Sequence, residues 1–414
     1  MMKKRTAALP KDLKQKNLEE LLRLVVSLKQ FTIAEIADIS AISRQTVTKA
    51  MSMFVEKGIL VSGEKSSSTS VGGRKPATFM MNPVKYAVAI HQYGKKFHFG
   101  LLNLARELID EINLRYGDFS SYEDYLQLVC QNIDLLLSRN SISRDNLLGI
   151  ILDSGGIIDE IHGTADLSGH AWGIRCIRKD IQELLLHTES DSKQTDSLQK
   201  TVRVEVGNVA KIAASSLSVD ISMFGKRIAA VYIDHGVGIT LINDGEIQNT
   251  RHNITGELGH MILDLSSDKT CSIGDRGCFE ALISEKCIRD MAEELPEEVR
   301  KKIFCDYDEA SDFREQVLKK SEEGLLELNE IVDYMAEVIG SAFVNLAFAF
   351  DPDCFLIQGS FVEWPESFKE KIRKTMKKNY YLREIDFAIE SSDKNIESMM
   401  DEGGVSVLLQ KCFE

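Results

Sequence analysis

The chain has 414 residues, 43% of them hydrophobic, and a formal net charge of −14. That length calls for two or three domains, and that apolar fraction excludes an intrinsically disordered chain. With no run of 18 or more apolar residues and no opening signal peptide, a cytoplasmic protein without a membrane partner is expected.

Basic residues crowd the start of the chain: Lys3, Lys4, Arg5, Lys11, Lys14 and Lys16. They are either phosphate contacts or a frayed terminus. The stretch Phe31 to Gly58 then reads as a short helix, a tight turn and a longer helix with a polar face. Thr32 with Glu35 forms a capping box, Ser43 caps the second helix, and Gly58 stands where a C′ glycine belongs. Val47, Ala50, Met51, Phe54 and Val55 fall at helical spacing and face a core. Ser43, Arg44, Gln45, Thr46, Thr48 and Lys49 are left to meet phosphates and base edges. This is the pattern of a helix-turn-helix DNA reader. The competing reading is an ordinary amphipathic helix pair. A strand over Ile59–Glu64, a Ser/Thr-rich turn, the basic loop Val71-Gly72-Gly73-Arg74-Lys75-Pro76 and a returning strand over Ala77–Met81 make a wing, with Arg74 and Lys75 on the backbone.

Charge divides the chain in the same way. Residues 1–80 hold 14 Lys and Arg against 7 Asp and Glu, and the remainder holds 36 against 57. A basic head on an acidic body places a nucleic-acid footprint on the head. The sequence therefore predicts a winged helix-turn-helix domain over 1–82 and a second domain over 83–414.

In the body, strands are expected over Tyr86–Ile90 and Phe97–Leu104, then a helix over Tyr122–Arg139 and a buried strand over Leu148–Asp153. A strand over Val202–Glu205 precedes a helix from about Val209 to Leu217. Ile228–Asp234 and Ile239–Asn243 form a hairpin, and a long helix over Leu326–Phe350 leads into a strand over Cys354–Ile357. Alternating strands and helices give an α/β fold of two lobes. Thr188 to Lys200 is polar and reads as a mobile surface loop. The 8 cysteines lack framework spacing and read as reduced, mostly buried thiols.

Gly256-Glu257-Leu258-Gly259-His260, then Cys271, then Gly277-Cys278-Phe279-Glu280 resemble the ROK family of repressors, open reading frames and sugar kinases. The wing GGRKP followed by Met81-Asn82-Pro83 is similar to its members with an N-terminal winged helix, of the xylose-repressor and N-acetylglucosamine-repressor type. The resemblance implies an actin-like, two-lobed sugar-kinase body with a ligand in the cleft between lobes. It also implies kinase motifs, and this chain departs from them. The first phosphate loop falls on His91, Gln92, Tyr93, Gly94 and Lys95, where the family's Asp, Gly and Thr are replaced. The catalytic Glu-Asn-Asp falls on Glu205, Val206 and Gly207, so the general base is missing, and Asn208 beyond it has no useful basicity. The second phosphate loop is Asp234-His235-Gly236-Val237-Gly238, and a Gly-Gly pair near the adenosine pocket reads Gln358-Gly359. Phosphoryl transfer needs these parts in place, so no enzyme is expected.

On the sugar side the resemblance assigns Glu257, His260 and Glu280 to ligand hydroxyls, which suits charged acceptors. Alternatively Glu257 and His260 satisfy a turn and Glu280 caps a helix. Leu167 to Trp172 resembles a loop that closes on sugar, though Trp172 also suits simple packing. The family's structural zinc would use His260, Cys271 and Cys278, with Ile273 standing where a further cysteine belongs. Zinc wants four closed ligands. The site is either a weakened one, completed by water, Asp275 or another cysteine, or a pair of metal-free thiols. The expected partners are double-stranded operator DNA and a sugar or sugar-phosphate effector, and the expected assembly is a homodimer or a dimer of dimers. The reading is a repressor of carbohydrate-utilisation genes. The alternatives are a sugar kinase with a DNA-binding head and an effector-independent DNA-binding protein.

Overall fold

The computed structural model describes residues 10–63, 77–93, 96–115, 119–153, 158–167, 172–187, 202–248, 255–308 and 311–413. The expectations on Lys3, Lys4, Arg5, the wing tip with Arg74 and Lys75, Gly94, Lys95, Ser168 to Ala171 and Thr188 to Lys200 lie outside these residues.

The head comprises α1 (Pro10–Val26), β1 (Phe31–Thr32), α2 (Ile33–Ser40), α3 (Arg44–Glu56), β2 (Leu60–Ser62) and β3 (Thr78–Met81). Leu18, Leu21, Leu22 and Val25 form a buried stripe on α1, with the spacing of an amphipathic helix. Strand β3 pairs antiparallel with β2, Leu60 opposite Met81, and with β1, Phe31 opposite Phe79. These are the legs of the expected wing.

The next elements are β4 (Tyr86–Tyr93), β5 (Lys96–Asn103), β6 (Leu108–Arg115), α4 (Tyr122–Arg139), β7 (Leu147–Asp153), β8 (Ile158–Asp159), β9 (Thr164–Asp166), β10 (Ile174–Arg175), α5 (Ile177–His187) and β11 (Val204–Gly207). Strands β4, β5 and β6 form an antiparallel meander, and β7 and β11 add parallel to β4, giving the order β11-β7-β4-β5-β6. Parallel addition requires a crossover, and α4 supplies the one into β7. Its buried face (Tyr125, Val129, Ile133 and Leu136) packs on Phe97, Phe99 and Leu101 of β5 in one core.

The remainder comprises α6 (Val209–Ser215), β12 (Arg227–Ile233), β13 (Val237–Asn243), β14 (Glu246–Ile247), α7 (Phe279–Ile283), α8 (Glu285–Glu293), α9 (Glu297–Phe304), α10 (Phe313–Glu322), α11 (Asn329–Phe350), β15 (Cys354–Gly359), α12 (Glu366–Lys377), β16 (Ala388–Ser391) and α13 (Ile396–Lys411). Its sheet, β14-β13-β12-β15-β16, repeats the plan of the first: an antiparallel meander extended by two parallel strands. The segment Leu326–Phe350 is long and apolar enough to cross a bilayer, yet 61% of its apolar window is buried. Ile331, Met335, Ile339 and Phe343 of α11 join the second core, where Phe343 stacks on Phe355 with ring centroids 4.1 Å apart. It is a core helix.

Two compact units result. One holds Met1–Asn208, Ser215–Ser222 and Met400–Glu414, and the other holds Val209–Ala214 and Met223–Met399. The cysteines are free thiols; Cys130, Cys278, Cys287 and Cys354 are buried and Cys305 is exposed.

Candidate nucleic-acid interface and ligand cluster

The caps expected in the head form. Thr32 Oγ1 accepts the Glu35 N–H at 3.3 Å, and Glu35 Oε2 accepts the Thr32 N–H at 2.7 Å. Ser43 Oγ accepts the Thr46 N–H at 3.3 Å and starts α3, and Gly58 takes φ +72° after its end. Val47, Ala50, Met51 and Phe54 are buried. Val55, expected in the same stripe, is 38% exposed. At about 100° per residue it lies roughly 80° from Val47, off the edge of the buried face.

Ser43, Arg44, Gln45, Thr48 and Lys49 are exposed at the start of α3, and Thr46 is half-buried. Thr48 Oγ1 donates to the Arg44 carbonyl at 2.7 Å, and the Thr46 and Ser43 hydroxyls lie 2.9 Å apart. Arg44, Gln45 and Lys49 therefore keep the free reach. A helix with a bare polar N-terminal half, a short helix before it and a β hairpin after it can enter a major groove.

In the body, several described positions aligned with kinase motifs are taken up by the protein's own bonds. His91 is buried with Nδ1 against the Asp153 carboxylate, whose other oxygen accepts the Gln92 N–H at 2.8 Å. Glu205 pairs with Arg178 at 2.7 Å, and Gly207 offers no base. In the β12–β13 turn, the Val237 N–H donates to Glu280 Oε2 at 3.0 Å, and the Asp234 carbonyl accepts from Arg314 at 2.9 Å. Arg314 is itself buried against Asp312. A backbone N–H held by a carboxylate is not available to a phosphate. Gln358 is fully buried, and its amide donates to the Ala213 carbonyl at 3.3 Å.

The family-assigned sugar residues sit in the second unit. Glu257 and His260 lie on a 3-10 turn, Thr255–His260, with His260 Nε2 3.8 Å from Glu257 Oε2. The Glu257 side chain is 42% exposed. Burial, with Glu280 nearby, pushes its carboxyl above the usual range against the opposing pull of His260 and Lys211. Glu280 is 4% exposed, and both oxygens are engaged, one by Val237 and the other by the Ser272 N–H at 3.1 Å and the Ser272 hydroxyl at 2.6 Å. Its side chain does not cap α7: that cap is the Cys278 sulfur, which accepts the Ala281 N–H at 3.4 Å. Sequence reasoning missed Ser272 and Val237 as its partners, because both are brought to it only by tertiary folding. Trp172 packs among Phe119, Tyr122 and Tyr125.

His260, Cys271 and Cys278 converge, their ligand atoms all within 4.8 Å of one another. His260 Nδ1 is buried with no hydrogen-bond partner. A half-buried imidazole with an unpartnered nitrogen, grouped with two thiols, fits a thiophilic divalent metal. Burial raises the Cys278 thiol to about 11. Ile273 is 59% exposed and supplies no donor. Asp275 is also exposed, and its carbonyl accepts the Cys271 N–H at 2.9 Å.

A xylose repressor of Bacillus spizizenii is 21% identical over 374 residues, covering 89% of this chain and 88% of its own. A glucokinase of Halalkalibacterium halodurans is 25% identical over 282 residues, covering 66% of this chain and 80% of its own. A solved ROK family transcriptional regulator, a homologue of the Escherichia coli Mlc protein, superposes with a TM-score of 0.71 at 16% identity, covering 97% of this chain and 96% of that one. The sequence model of the ROK family matches residues 90–400, well over half of the chain. The chain belongs to the ROK family.

Proposed function

We propose that this protein is a DNA-binding transcriptional repressor of carbohydrate-utilisation genes whose kinase-like body senses and does not phosphorylate. The observation that carries the reading is the pairing of an exposed polar helix at Arg44–Glu56 with a body in which Gln92, Val237 and Gln358, at kinase-motif positions, are occupied by internal hydrogen bonds. The named xylose repressor and the Mlc-like regulator support it. Arg44, Gln45 and Lys49 read or grip the major groove, and Arg74 and Lys75 grip the adjoining backbone. Ser43, Thr46 and Thr48 hold the helix start and add hydroxyl contacts. Two copies pair, so that two readers meet a palindromic operator in the cytoplasm.

The ligand is a sugar or sugar phosphate. Glu257 and His260 meet its hydroxyls, and Glu280 acts from behind by fixing the Val237 and Ser272 backbone. Zinc, when bound, would supply a structural cross-link through His260 Nδ1, Cys271 and Cys278. His260 held through Nδ1 presents its Nε2–H as a fixed donor toward Glu257 and a ligand hydroxyl. A ligand alters operator affinity only by favouring one conformation of the body.

The test combines two assays on the full-length protein. Retention of genomic DNA fragments is measured as salt rises, and sugar phosphate is measured after incubation with ATP and a hexose panel. Salt-sensitive retention without turnover supports the reading. Turnover with any hexose supports the kinase alternative, and DNA binding that ignores every sugar supports the effector-independent one.

A further inference from the structure

The recognition helix is held from behind by the segment that follows α13. Phe54 of α3, fully buried, meets the Phe413 ring edge-on with centroids 5.2 Å apart. Lys57, at the C-cap of α3, donates to the Cys412 carbonyl at 2.7 Å and lies over the Phe413 ring at 5.1 Å. Gln15 of α1 donates to the Phe413 carbonyl at 3.2 Å. The other end of this connection is fastened to the first sheet. Asp401 of α13 bonds His98 of β5 at 3.0 Å, Glu402 pairs with Arg106 at 3.1 Å, and Arg203 donates to the Lys411 carbonyl. These residues belong to one compact unit.

We propose that Phe413 is a positioning residue for DNA recognition: it wedges against the last turn of α3 and sets the angle at which the first turn meets the groove. The inference rests on the DNA-binding reading above. Geometry supplies the leverage. From Phe54 back to Arg44, α3 rises about 15 Å, so a tilt of about 10° at the braced end moves the reading end by roughly 2.5 Å. That displacement breaks hydrogen bonds to base edges, which tolerate a few tenths of an ångström. An edge-on aromatic contact and a cation over the same ring hold one orientation rather than adding unspecific burial.

The experiment uses the full chain carrying Phe413→Ala, Phe413→Leu or Phe413→Tyr, with two readouts. Amide hydrogen exchange along α3, measured without DNA, should run about tenfold faster in Phe413→Ala. Affinity for genomic fragments retained by the wild type should fall about tenfold with the salt dependence of binding unchanged, because no phosphate contact is removed. Phe413→Tyr keeps the ring and should restore both. If Phe413→Ala also exposes the β2 and β3 amides, the head has unfolded, and Phe413→Leu decides on the same two readouts. Unchanged exchange in α3 overturns the proposal, and so does faster exchange with unchanged affinity. A wild type that retains no DNA overturns the repressor reading instead, while the exchange measurement still decides whether Phe413 braces the helix.

Discussion

Raising the pH through 8 should loosen α13 from β5. Both ring nitrogens of the buried His98 face oxygens: Nε2 lies 3.0 Å from Asp401 Oδ2, and Nδ1 lies 2.9 Å from Asn113 Oδ1. Glu111 stands 3.7 Å from Nδ1. Only the doubly protonated ring donates to both sides. Burial alone lowers the His98 pKa, but the hydrogen bond and charge of Asp401, with Asn113 and Glu111, outweigh it and raise the value from 6.5 to about 8. That rise of about 1.5 pH units corresponds to roughly 2 kcal/mol. Because the folded value lies above the unfolded one, the stabilisation is complete below pH 6.5 and is lost as pH climbs through 8. Burial also raises the Asp401 carboxyl, so its charged form depends on the imidazolium. Amide exchange of β5 and α13, corrected for intrinsic pH dependence, reads the effect. Protection in the wild type should drop about thirtyfold between pH 6 and pH 9, with no such drop in His98→Gln, which donates at any pH. Parallel pH profiles for the two proteins would refute the buried ion pair.

Other expectations concern the reader, the metal loop and the brace behind Glu280. Arg44→Ala and Lys49→Ala should weaken fragment retention; loss of a phosphate contact lowers the salt slope by about 1, whereas loss of a base contact relaxes sequence preference at constant slope. Ile273→Cys should close the zinc tetrahedron. With about 10–16 kcal/mol shared among four ligands, one added thiolate should tighten chelator-competed zinc binding on the order of a hundredfold. Cobalt substitution should then show stronger thiolate charge-transfer absorption than in the wild type. Glu280→Ala strips the partner from the buried Val237 N–H and should destabilise the β12–β13 turn by about 1–3 kcal/mol, read as faster exchange at Val237 and Gly238.

The sequence revealed what local chemistry determines. The capping box at Thr32 and Glu35, the Ser43 cap and the Gly58 stop involve partners within a few residues, and all formed. The helix Tyr122–Arg139 has its expected bounds because its apolar spacing is unbroken. Helix α1 went unread, since its basic start masked the Leu18, Leu21, Leu22 and Val25 stripe. Strand β6 escaped because it is largely exposed and carries little apolar alternation. The roles of Glu280, His98 and Phe413 depend on distant partners; His98 and Asp401 are 303 positions apart. The convergence of His260, Cys271 and Cys278 was legible from family resemblance, whereas the orphaned His260 Nδ1 that makes it a metal candidate was not.

The central claim is that the basic head reads operator DNA while the body does no phosphoryl transfer. Footprinting of the bound protein across its genome tests it most directly. Protected palindromes beside carbohydrate-utilisation genes, lost in Arg44→Ala, are the predicted result. Protection no greater than on protein-free DNA, or protection indifferent to Arg44, Gln45 and Lys49 substitutions, would contradict it.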